Sequence, residues 1–208
     1  MLFKESYNDI DLKDLLYAGI DEVGRGSLAG PVCAAAVILP KNFENEFGIK
    51  DSKKLTEKKR LELFDIITKN AISYSVTFID NSIIDKINIL QATQQAMHKA
   101  IDNLIVKPEF LLIDGNYFIP YKNIRYKTVI KGDSKNVSIA AASIIAKVSR
   151  DNLMKNVYDA MYPQYNFKKN VGYGTKEHLQ AIEKYGPCEI HRKSFLKCKK
   201  NNNNLLMI

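Results

Sequence analysis

Cysteine is scarce in this 208-residue sequence, and its spacing argues against metal and disulfide scaffolds. Cys33, Cys188 and Cys198 form no Cys-x-x-Cys pair, and three cysteines cannot all pair with one another. Structural zinc sites need several closely spaced Cys or His ligands, and stable disulfides are typical of oxidising compartments. We therefore expect a protein of a reducing compartment that has no structural zinc ion.

The sequence also lacks an apolar segment long enough to cross a bilayer. Its longest apolar run, Ile139 to Ala146, is interrupted by Ser143 and ends at Lys147, whereas a membrane-spanning helix needs ~20 residues. Residues Met1 to Asp14 mix charged and apolar side chains and contain no signal-peptide core. We therefore expect a soluble, cytoplasmic protein with no membrane partner.

Histidine is equally scarce. His98, His178 and His191 are scattered, and none has the spacing of metal ligands or of a nucleophile triad with a Ser or Cys. We interpret all three as non-catalytic.

Positive charge, in contrast, is in excess. The chain has 31 Lys and Arg against 23 Asp and Glu, a formal net charge of +8, which favours an anionic partner and nucleic acid first. A basic but uninvolved surface is the open alternative. With 46% hydrophobic residues the chain can bury a core. We expect a monomer with one domain at residues 16–196, preceded by an N-terminal extension at 1–15 and followed by a polar tail at 197–208.

Apolar periodicity predicts strands mixed with long helices, which is typical of an α/β sandwich around one sheet. The first two strands flank a glycine-rich connection and should form a hairpin. Residues 72–78 alternate apolar and polar side chains, as in a half-buried strand. The predicted strands are Leu16–Ile20, Val32–Leu39, Ile72–Phe78 and Phe110–Ile113, and the predicted helices are Thr56–Asn70, Asn88–Ile105, Asn136–Tyr158 and Lys176–Lys184.

Four acidic residues stand where strands end or a helix begins. Asp21 and Glu22 follow the first strand, Asp114 follows a later one, and Asp133 precedes the third helix. If they converge at one sheet edge, their repulsion requires a cation, and oxygen ligands alone favour Mg²⁺ or Mn²⁺. Two such ions can catalyse in-line attack on a phosphodiester. The alternative is that each acid separately ends a strand, caps a helix or pairs with a lysine.

An ordered set of sequence blocks resembles the type 2 ribonucleases H, and among them the ribonuclease HII family. The first block, Ala18 to Gly26, contains Gly-Ile-Asp-Glu followed by Gly-Arg-Gly. The likeness extends from about Tyr17 to Phe195, and the order of the blocks makes it specific. The related ribonuclease HIII carries an extra N-terminal domain, for which residues 1–15 leave no room. The other blocks are Asp51–Leu55, Asn88–Thr93, Ile113–Gly115, Lys131–Asp133, Ile139–Val148, Gly172–Thr175 and His191–Phe195.

This resemblance implies a ribonuclease H-like fold, with a central mixed sheet flanked by helices and a small C-terminal helical region. It implies that the catalytic, metal-binding carboxylates are Asp21, Glu22, Asp114 and Asp133. It also implies that Gly24, Arg25 and Gly26 read the ribose 2′-OH and that Tyr173 lies against the nucleotide beside the cut.

The residues themselves fit these roles. Glycines let a backbone approach a sugar closely, and backbone N–H and C=O groups can bond a 2′-OH whatever the base. A tight turn that needs glycine is the alternative. An aromatic ring such as Tyr173 can stack on a sugar or base. Phosphate contacts would fix register without reading sequence, and the candidates are Ser52, Lys53, Lys54, Ser143, Lys147, Arg192 and Ser194.

The expected activity is metal-dependent hydrolysis of the RNA strand of RNA–DNA hybrids. We also expect nicking of DNA on the 5′ side of embedded ribonucleotides, leaving a 3′-OH and a 5′-phosphate, with two Mg²⁺ or Mn²⁺ ions during catalysis. Ribonucleotide removal from DNA is the implied process. Two rivals stay open, a nuclease for another structured nucleic acid such as a junction and a non-catalytic hybrid-binding protein. The sequence leaves open whether a sliding clamp is bound.

Overall fold

The computed structural model describes residues 15–41 and 55–196, together with Leu12 and Phe43. The tail at 197–208 and the candidate phosphate contacts Ser52, Lys53 and Lys54 lie outside the described residues, as does the extension apart from Leu12 and Leu15. The strands are β1 (Tyr17–Val23), β2 (Val32–Ile38), β3 (Ser73–Ile79), β4 (Phe110–Asp114) and β5 (Arg125–Val129). The helices are α1 (Glu57–Asn70), α2 (Asn81–Asp102), α3 (Val137–Asn152), α4 (Asp159–Met161), α5 (Phe167–Asn170) and α6 (Lys176–Tyr185).

The five strands form one mixed sheet in the order β3-β2-β1-β4-β5. β1 pairs antiparallel with β2 and parallel with β4, so the predicted hairpin is present and a second strand runs in the same direction beside it. β2 pairs antiparallel with β3, and β4 pairs parallel with β5. The predicted α/β class with a central mixed sheet is therefore confirmed, and β5 is a strand that the sequence pattern did not indicate.

Helices cover both faces of this sheet because alternate residues of its central strands are apolar on opposite sides. On one face, Ala18 and Ile20 of β1 and Ala34 of β2 pack in a cluster with Ala96 and Met97 of α2. On the other face, β2 contributes Cys33, Ala35 and Val37 to a cluster with residues of α1 and α3. The structure is thus a three-layer sandwich with two apolar cores.

The close approach of α3 to the sheet depends on Gly19. A Cβ atom at this position would lie 2.1 Å from the carbonyl carbon of Ser138 and 2.3 Å from the backbone nitrogen of Ile139. The start of α3 therefore lies directly on β1, with Asn136 as its N-cap accepting from the Ser138 and Ile139 N–H groups. This contact brings the first turns of α3 to the acidic end of β1.

α2 consists of two helical segments that meet at Asn88. This residue has φ 67° and ψ 166°, which no helix tolerates, and its side-chain oxygen accepts from the Gln91 N–H as an N-cap does. The helix predicted from Asn88 is present, but another helical segment precedes it from Asn81. Asn81 donates to the carbonyls of Glu189 and His191, which fixes this segment against the C-terminal region.

The small C-terminal helical region packs around its own cluster of apolar side chains. α3 continues through the π-helical stretch Leu153–Tyr158 into α4. The last helix, α6, starts at Lys176 as predicted, with Thr175 as its N-cap. Met154, Tyr165 and Phe167 are buried there together with Ala29 from the loop after β1. No helix within the described ranges is long and apolar enough to cross a membrane.

Candidate metal centre and adjoining loop

Asp21 and Asp114 lie side by side at the same end of the sheet. The parallel register of β1 and β4 pairs Ile20 with Ile113, so the next residue of each strand is an acid. Glu22 follows Asp21 in β1. Strand pairing therefore places three of the four predicted carboxylates at one end of the sheet.

Asp21 is nearly fully buried, with 3% of its surface exposed. Burial raises the pKa of its carboxyl well above the ordinary value, and the charges of Glu22 and Asp114 raise it further. A hydrogen bond from Ser143 of α3 and one from the Glu22 N–H, at 2.7 Å from Oδ1, act in the opposite direction. A buried cluster of like charges is stabilised when a cation binds it.

Glu22 is partly shielded by Arg25. Burial raises the pKa of Glu22 and the charge of Asp114 raises it further, whereas Arg25 lowers it through an ion pair of 3.1 Å between Nη1 and Oε1. The Arg25 side chain is half exposed and that of Glu22 is 15% exposed. This carboxylate thus faces the edge of the cluster rather than its buried floor.

Asp133 is attached to the same end of the sheet through a backbone hydrogen bond. It is buried in the short 3₁₀ turn Gly132–Ser134 that precedes α3. The Gly132 N–H donates to Asp114 Oδ1 at 2.7 Å, and this bond fixes the turn to the end of β4. The fourth predicted acid is therefore held beside the third.

These four carboxylates are the all-oxygen donor set that Mg²⁺ and Mn²⁺ prefer. As placed, no three acidic, His or Cys side chains within residues 15–41 and 55–196 converge on one point as ligands of a single ion. Asp21 and Asp114 instead each accept a backbone N–H. The donor chemistry and the shared sheet edge fit a divalent cation, and the role of each acid as a ligand stays a prediction.

The loop after β1 begins two residues beyond the acids, and Arg192 holds its shape. Gly24 is buried with φ +88°, and a Cβ there would lie 2.2 Å from Nε of Arg150. The carbonyls of Gly24 and Arg25 accept from Nη2 and Nη1 of Arg192 at 2.7 and 2.8 Å. No hydrogen bond among the described residues uses the N–H groups of Arg25 and Gly26, and both residues are exposed. In each trans peptide the N–H points opposite to the preceding carbonyl, and the carbonyls of Gly24 and Arg25 point inwards to Arg192. Two backbone donors therefore face outwards beside the carboxylates.

This position of Arg192 corrects the expectation of a phosphate contact. The side chain is fully buried, and its Nε also donates to the carbonyl of Gly30 at 3.0 Å. Burial and the charge of Arg150 lower its pKa to about 9. A guanidinium without exposed surface cannot reach a phosphate on the outside, so Arg192 shapes the loop from within.

Arg150 is a structural residue of the site that the sequence analysis missed. It is fully buried in α3 and donates to the carbonyls of Pro31 and Val171, each at 2.9 Å, and to the hydroxyl of Ser27 at 2.8 Å. It thereby bridges the loop after β1 and the segment before Tyr173. The sequence did contain an indication that Arg150 is buried. Ile139, Ser143 and Ala146 lie on one buried face of the helix, and the same spacing of three or four residues leads to position 150.

Tyr173 belongs to a second loop that is bonded directly to the first. The carbonyl of Gly172 accepts from the N–H groups of Leu28 and Ala29 at 2.8 and 3.2 Å. The half-buried Tyr173 ring has Lys147 Nζ at 5.8 Å from its centroid and the Arg150 guanidinium at 5.6 Å. The structure therefore unites the predicted Gly24–Gly26 and Tyr173 elements into one surface.

The other candidate phosphate contacts occupy different places. Ser143 bonds to Asp21 at the floor of the acidic cluster. Lys147 forms an ion pair with Asp151 at 3.0 Å near the Tyr173 ring. Ser194 is exposed and bonds to Asp85 in the first segment of α2. Lys147 thus lies beside the site, Ser143 lies within it, and any phosphate role of the three stays a prediction.

Comparison with known proteins gives a consistent result. Residues 18–198 match the family model described as Ribonuclease HII. The chain is 54% identical over 196 residues to the ribonuclease HII of Caldicellulosiruptor saccharolyticus, covering 94% of this chain and 91% of the relative. It is 53% identical over 178 residues to that of Syntrophus aciditrophicus, covering 86% and 82%. Among solved structures, a PCNA:RNase HII complex from Archaeoglobus fulgidus contains a chain of TM-score 0.73 and 25% identity, covering 91% of this chain and 98% of that one.

Proposed function

Because this chain belongs to the ribonuclease HII family, it is an endonuclease that hydrolyses RNA in RNA–DNA hybrids, and we propose that the surface formed by residues 21–26, 114, 133 and 173 performs this reaction. One observation carries the proposal. Asp21 and Glu22 end one strand that leads directly into the Gly24–Gly26 loop, so two candidate metal ligands lie next to the candidate sugar contacts in one segment. Residues 16–196 would form the catalytic domain.

The carboxylates of Asp21, Glu22, Asp114 and Asp133 would hold divalent cations, with Mg²⁺ or Mn²⁺ as the proposed ions. When bound, two such ions lower the pKa of the attacking water and stabilise the leaving oxygen. The protein supplies the fixed geometry: parallel pairing of β1 with β4 places Asp21 beside Asp114, and the Gly132 N–H fixes the turn of Asp133.

The outward N–H groups of Arg25 and Gly26 would recognise the ribose. A 2′-OH can accept from such donors whatever the base, and a deoxyribose cannot. Arg192 keeps the Gly24 and Arg25 carbonyls turned inwards, which sets the direction of the donors. Tyr173 would stack against the neighbouring nucleotide. We propose that the cut falls on the 5′ side of an embedded ribonucleotide, leaving a 3′-OH and a 5′-phosphate.

The proposed substrates are RNA–DNA hybrids and DNA duplexes that contain ribonucleotides, and the proposed process is ribonucleotide removal from DNA. We further propose that the chain acts as a monomer in the cytoplasm. The relative from Archaeoglobus fulgidus was solved as a complex with PCNA, which makes a sliding clamp a partner to test by size-exclusion chromatography of the mixture.

The deciding experiment compares two duplexes that differ in one oxygen atom. One is DNA with a single ribonucleotide, and the other has the same sequence with 2′-deoxyribose at that position. With Mg²⁺ or Mn²⁺ present, the first duplex should be nicked at one phosphodiester and the second left intact. The ratio of the two cleavage rates should be ~10⁴ or more, as in sites built to hydrogen-bond a substrate hydroxyl. Efficient cleavage of the all-deoxy duplex would falsify ribose recognition and indicate a nuclease for other structures.

A further inference from the structure

Two histidines form a buried contact directly behind Tyr173. The Nε2 atoms of His178 and His191 are 3.0 Å apart, and both side chains are fully buried. His178 Nδ1 lies 2.9 Å from the Tyr173 carbonyl oxygen. The imidazole pair is therefore one hydrogen bond away from the residue proposed to contact the nucleotide.

The surrounding backbone defines which nitrogen carries each proton. The Cys188 N–H donates to His191 Nδ1 at 2.9 Å, so that nitrogen accepts and the proton of a neutral His191 resides on Nε2. His191 Nε2–H then donates to His178 Nε2, and the remaining proton of His178 is on Nδ1, where it donates to the Tyr173 carbonyl. The result is a directional chain from the Cys188 N–H through both rings to Tyr173.

Aromatic rings surround the pair and favour its neutral form. Tyr165 lies 4.8 Å from His191 between ring centroids, and Phe167 lies 5.4 Å from His178. Burial lowers the pKa of both histidines. Neutral imidazoles keep the donor and acceptor order that the chain requires, since a charged ring would have two donors and no acceptor.

The pair also connects Tyr173 to the loop after β1. His191 forms a β-bridge with Ala29, and its neighbour Arg192 holds the Gly24 carbonyl. On the Tyr173 side, Val171 has φ +44°, which a β-branched residue rarely adopts, so this loop must be held by its surroundings. The histidine contact is one of the bonds that hold it.

We propose that His178 and His191 are positioning residues that set the orientation of Tyr173 through its backbone carbonyl and register it with the Gly24–Gly26 loop. The proposal rests on the proposed function, in which Tyr173 contacts the nucleotide. Both histidines are fully buried, so they act through the loops that they hold and not by contact with the substrate.

A crossed set of substitutions tests the proton order. An Asn side chain places its amide where His carries Nδ1, and a Gln side chain places it near Nε2. His178→Asn keeps the donor to the Tyr173 carbonyl and should retain the wild-type kcat within about threefold, whereas His178→Gln loses this donor and should lower kcat by about tenfold with little change in KM. At position 191 the donor is Nε2, which a Gln amide replaces and an Asn amide does not. His191→Gln should therefore be the active variant and His191→Asn the impaired one.

His98 provides the matched control because it lies in α2 and bonds to the Ile119 carbonyl, away from both loops. Its Asn and Gln variants should cleave at the wild-type rate. Urea unfolding of every variant identifies the folded ones, and only these enter the comparison. Equal losses for Asn and Gln at both positions 178 and 191, with all four variants folded, overturn the proposal.

A double-mutant cycle with Tyr173→Ala separates positioning from general support of the fold. If His178 acts through Tyr173, His178→Gln should lower kcat by about tenfold in the wild type and by less than about twofold in the Tyr173→Ala background. If the loss of kcat in the double variant equals the product of the two single losses, His178 acts elsewhere than through Tyr173. A wild-type protein that cuts the ribonucleotide and all-deoxy duplexes equally contradicts the proposed function instead, so the two failures are distinguishable.

Discussion

The side chain of Arg192 donates a 2.7 Å hydrogen bond to the carbonyl oxygen of Gly24, although 168 residues separate them in the sequence. This bond turns the carbonyl inwards, and the exposed N–H groups of the next two residues then face outwards. The surface proposed to read ribose is therefore formed by residues from both ends of the fold. Some residues of this surface shape the loop, and others would contact the sugar.

Gly24 and Gly26 should respond differently to the same substitution. Gly24→Ala places a Cβ 2.2 Å from Arg150 at a residue with φ +88°, so it should lower the free energy of unfolding by about 2 kcal/mol or more. Gly26→Ala meets no atom within 4 Å and should leave stability nearly unchanged. It should nevertheless reduce cleavage strongly, because the methyl group would occupy the space of the sugar. Urea unfolding and nicking assays on both variants check this, and a fully active Gly26→Ala protein would contradict close sugar approach.

Removing a buried arginine should be far more costly than removing the exposed one. Arg150→Met leaves the buried carbonyls of Pro31 and Val171 without their donor, and each buried acceptor left without a hydrogen bond costs about 1–3 kcal/mol. Arg25→Met, at a half-exposed side chain, should change stability by less than about 1 kcal/mol. The midpoints of denaturant unfolding of the two variants test this order, and equal midpoints would contradict it.

Neutralising one acid of the cluster should abolish cleavage without unfolding the protein. Asp21→Asn and Asp114→Asn remove a metal-binding charge, and Asp21→Asn also relieves the burial and repulsion that raise the pKa of this carboxyl. Stability at pH 7 should therefore stay equal or rise by about 1 kcal/mol, while cleavage falls by about 10³-fold or more. Glu62→Gln is the control, since Glu62 forms an exposed ion pair with Lys59 on α1, away from the acids. Near-normal turnover in either Asp variant would remove that residue from the metal centre.

The histidine pair should make the folded state sensitive to mild acid. Burial first, and then the charge of His178, lower the pKa of His191 from 6.5 to about 4. The unfolded chain then binds more protons between these values, so stability is greatest above pH 6.5 and falls as pH decreases to 4, by about 3 kcal/mol. His191→Gln should flatten this part of the stability curve. Parallel curves for the wild type and His191→Gln between pH 6.5 and 4 would be inconsistent with this assignment.

Affinity for the hybrid should fall steeply with salt. A chain of net charge +8 that contacts phosphates releases counterions on binding, so log K should decrease linearly with log salt concentration. Lys147→Met should reduce the slope by about one if Lys147 touches a phosphate. Affinities measured by fluorescence anisotropy from low to high salt provide the check, and an unchanged slope would place Lys147 outside the phosphate surface.

The sequence pattern predicts those elements whose apolar residues follow the period of their structure. β2, α1 and α6 lie close to their predicted bounds because their buried faces are apolar, and Thr56 and Thr175 cap the two helices. α3 starts where predicted, after the N-cap Asn136, but becomes π-helical from Leu153, and β1 continues past its predicted end to include Asp21 and Glu22. β5 escaped prediction because Arg125–Val129 is an edge strand whose residues are exposed or only partly buried. The first segment of α2 escaped because Asn88 interrupts the helical period.

β3 shows why alternation predicts a strand but not which side of it is buried. Its polar residues Ser73, Ser75 and Thr77 are the buried ones, while Tyr74 and Phe78 are 41% and 37% exposed. The Ser75 hydroxyl bonds to the carbonyl of Ala100, and Ser73 Oγ accepts from the Ile105 N–H. These hydroxyls satisfy backbone groups around the end of α2, a contact between distant segments that periodicity cannot anticipate.

The shared sheet edge of Asp21 and Asp114 follows from the general rule that neighbouring parallel strands end together. The choice of all four acids as metal ligands came from the resemblance to the ribonuclease HII family, whereas the network behind the loops could not be predicted. Arg150 and Arg192 are charged residues, for which exposure is the usual expectation. Their burial depends on carbonyls contributed by Gly24, Pro31 and Val171, which come together only in the folded chain. Likewise, nothing in the spacing of His178 and His191 indicates that their rings meet.

The long-range bond from Arg192 to Gly24 also imposes an order on biosynthesis. Domains fold as units while the chain leaves the ribosome N-terminus first. A nascent chain that has emerged as far as α3 already contains all four acids of the proposed metal centre, yet it lacks the guanidinium that turns the Gly24 carbonyl inwards. Translation of Arg192 therefore completes the proposed sugar-reading surface after all four acids have been made, so a nascent chain that stops before Arg192 should lack the fixed Gly24 carbonyl.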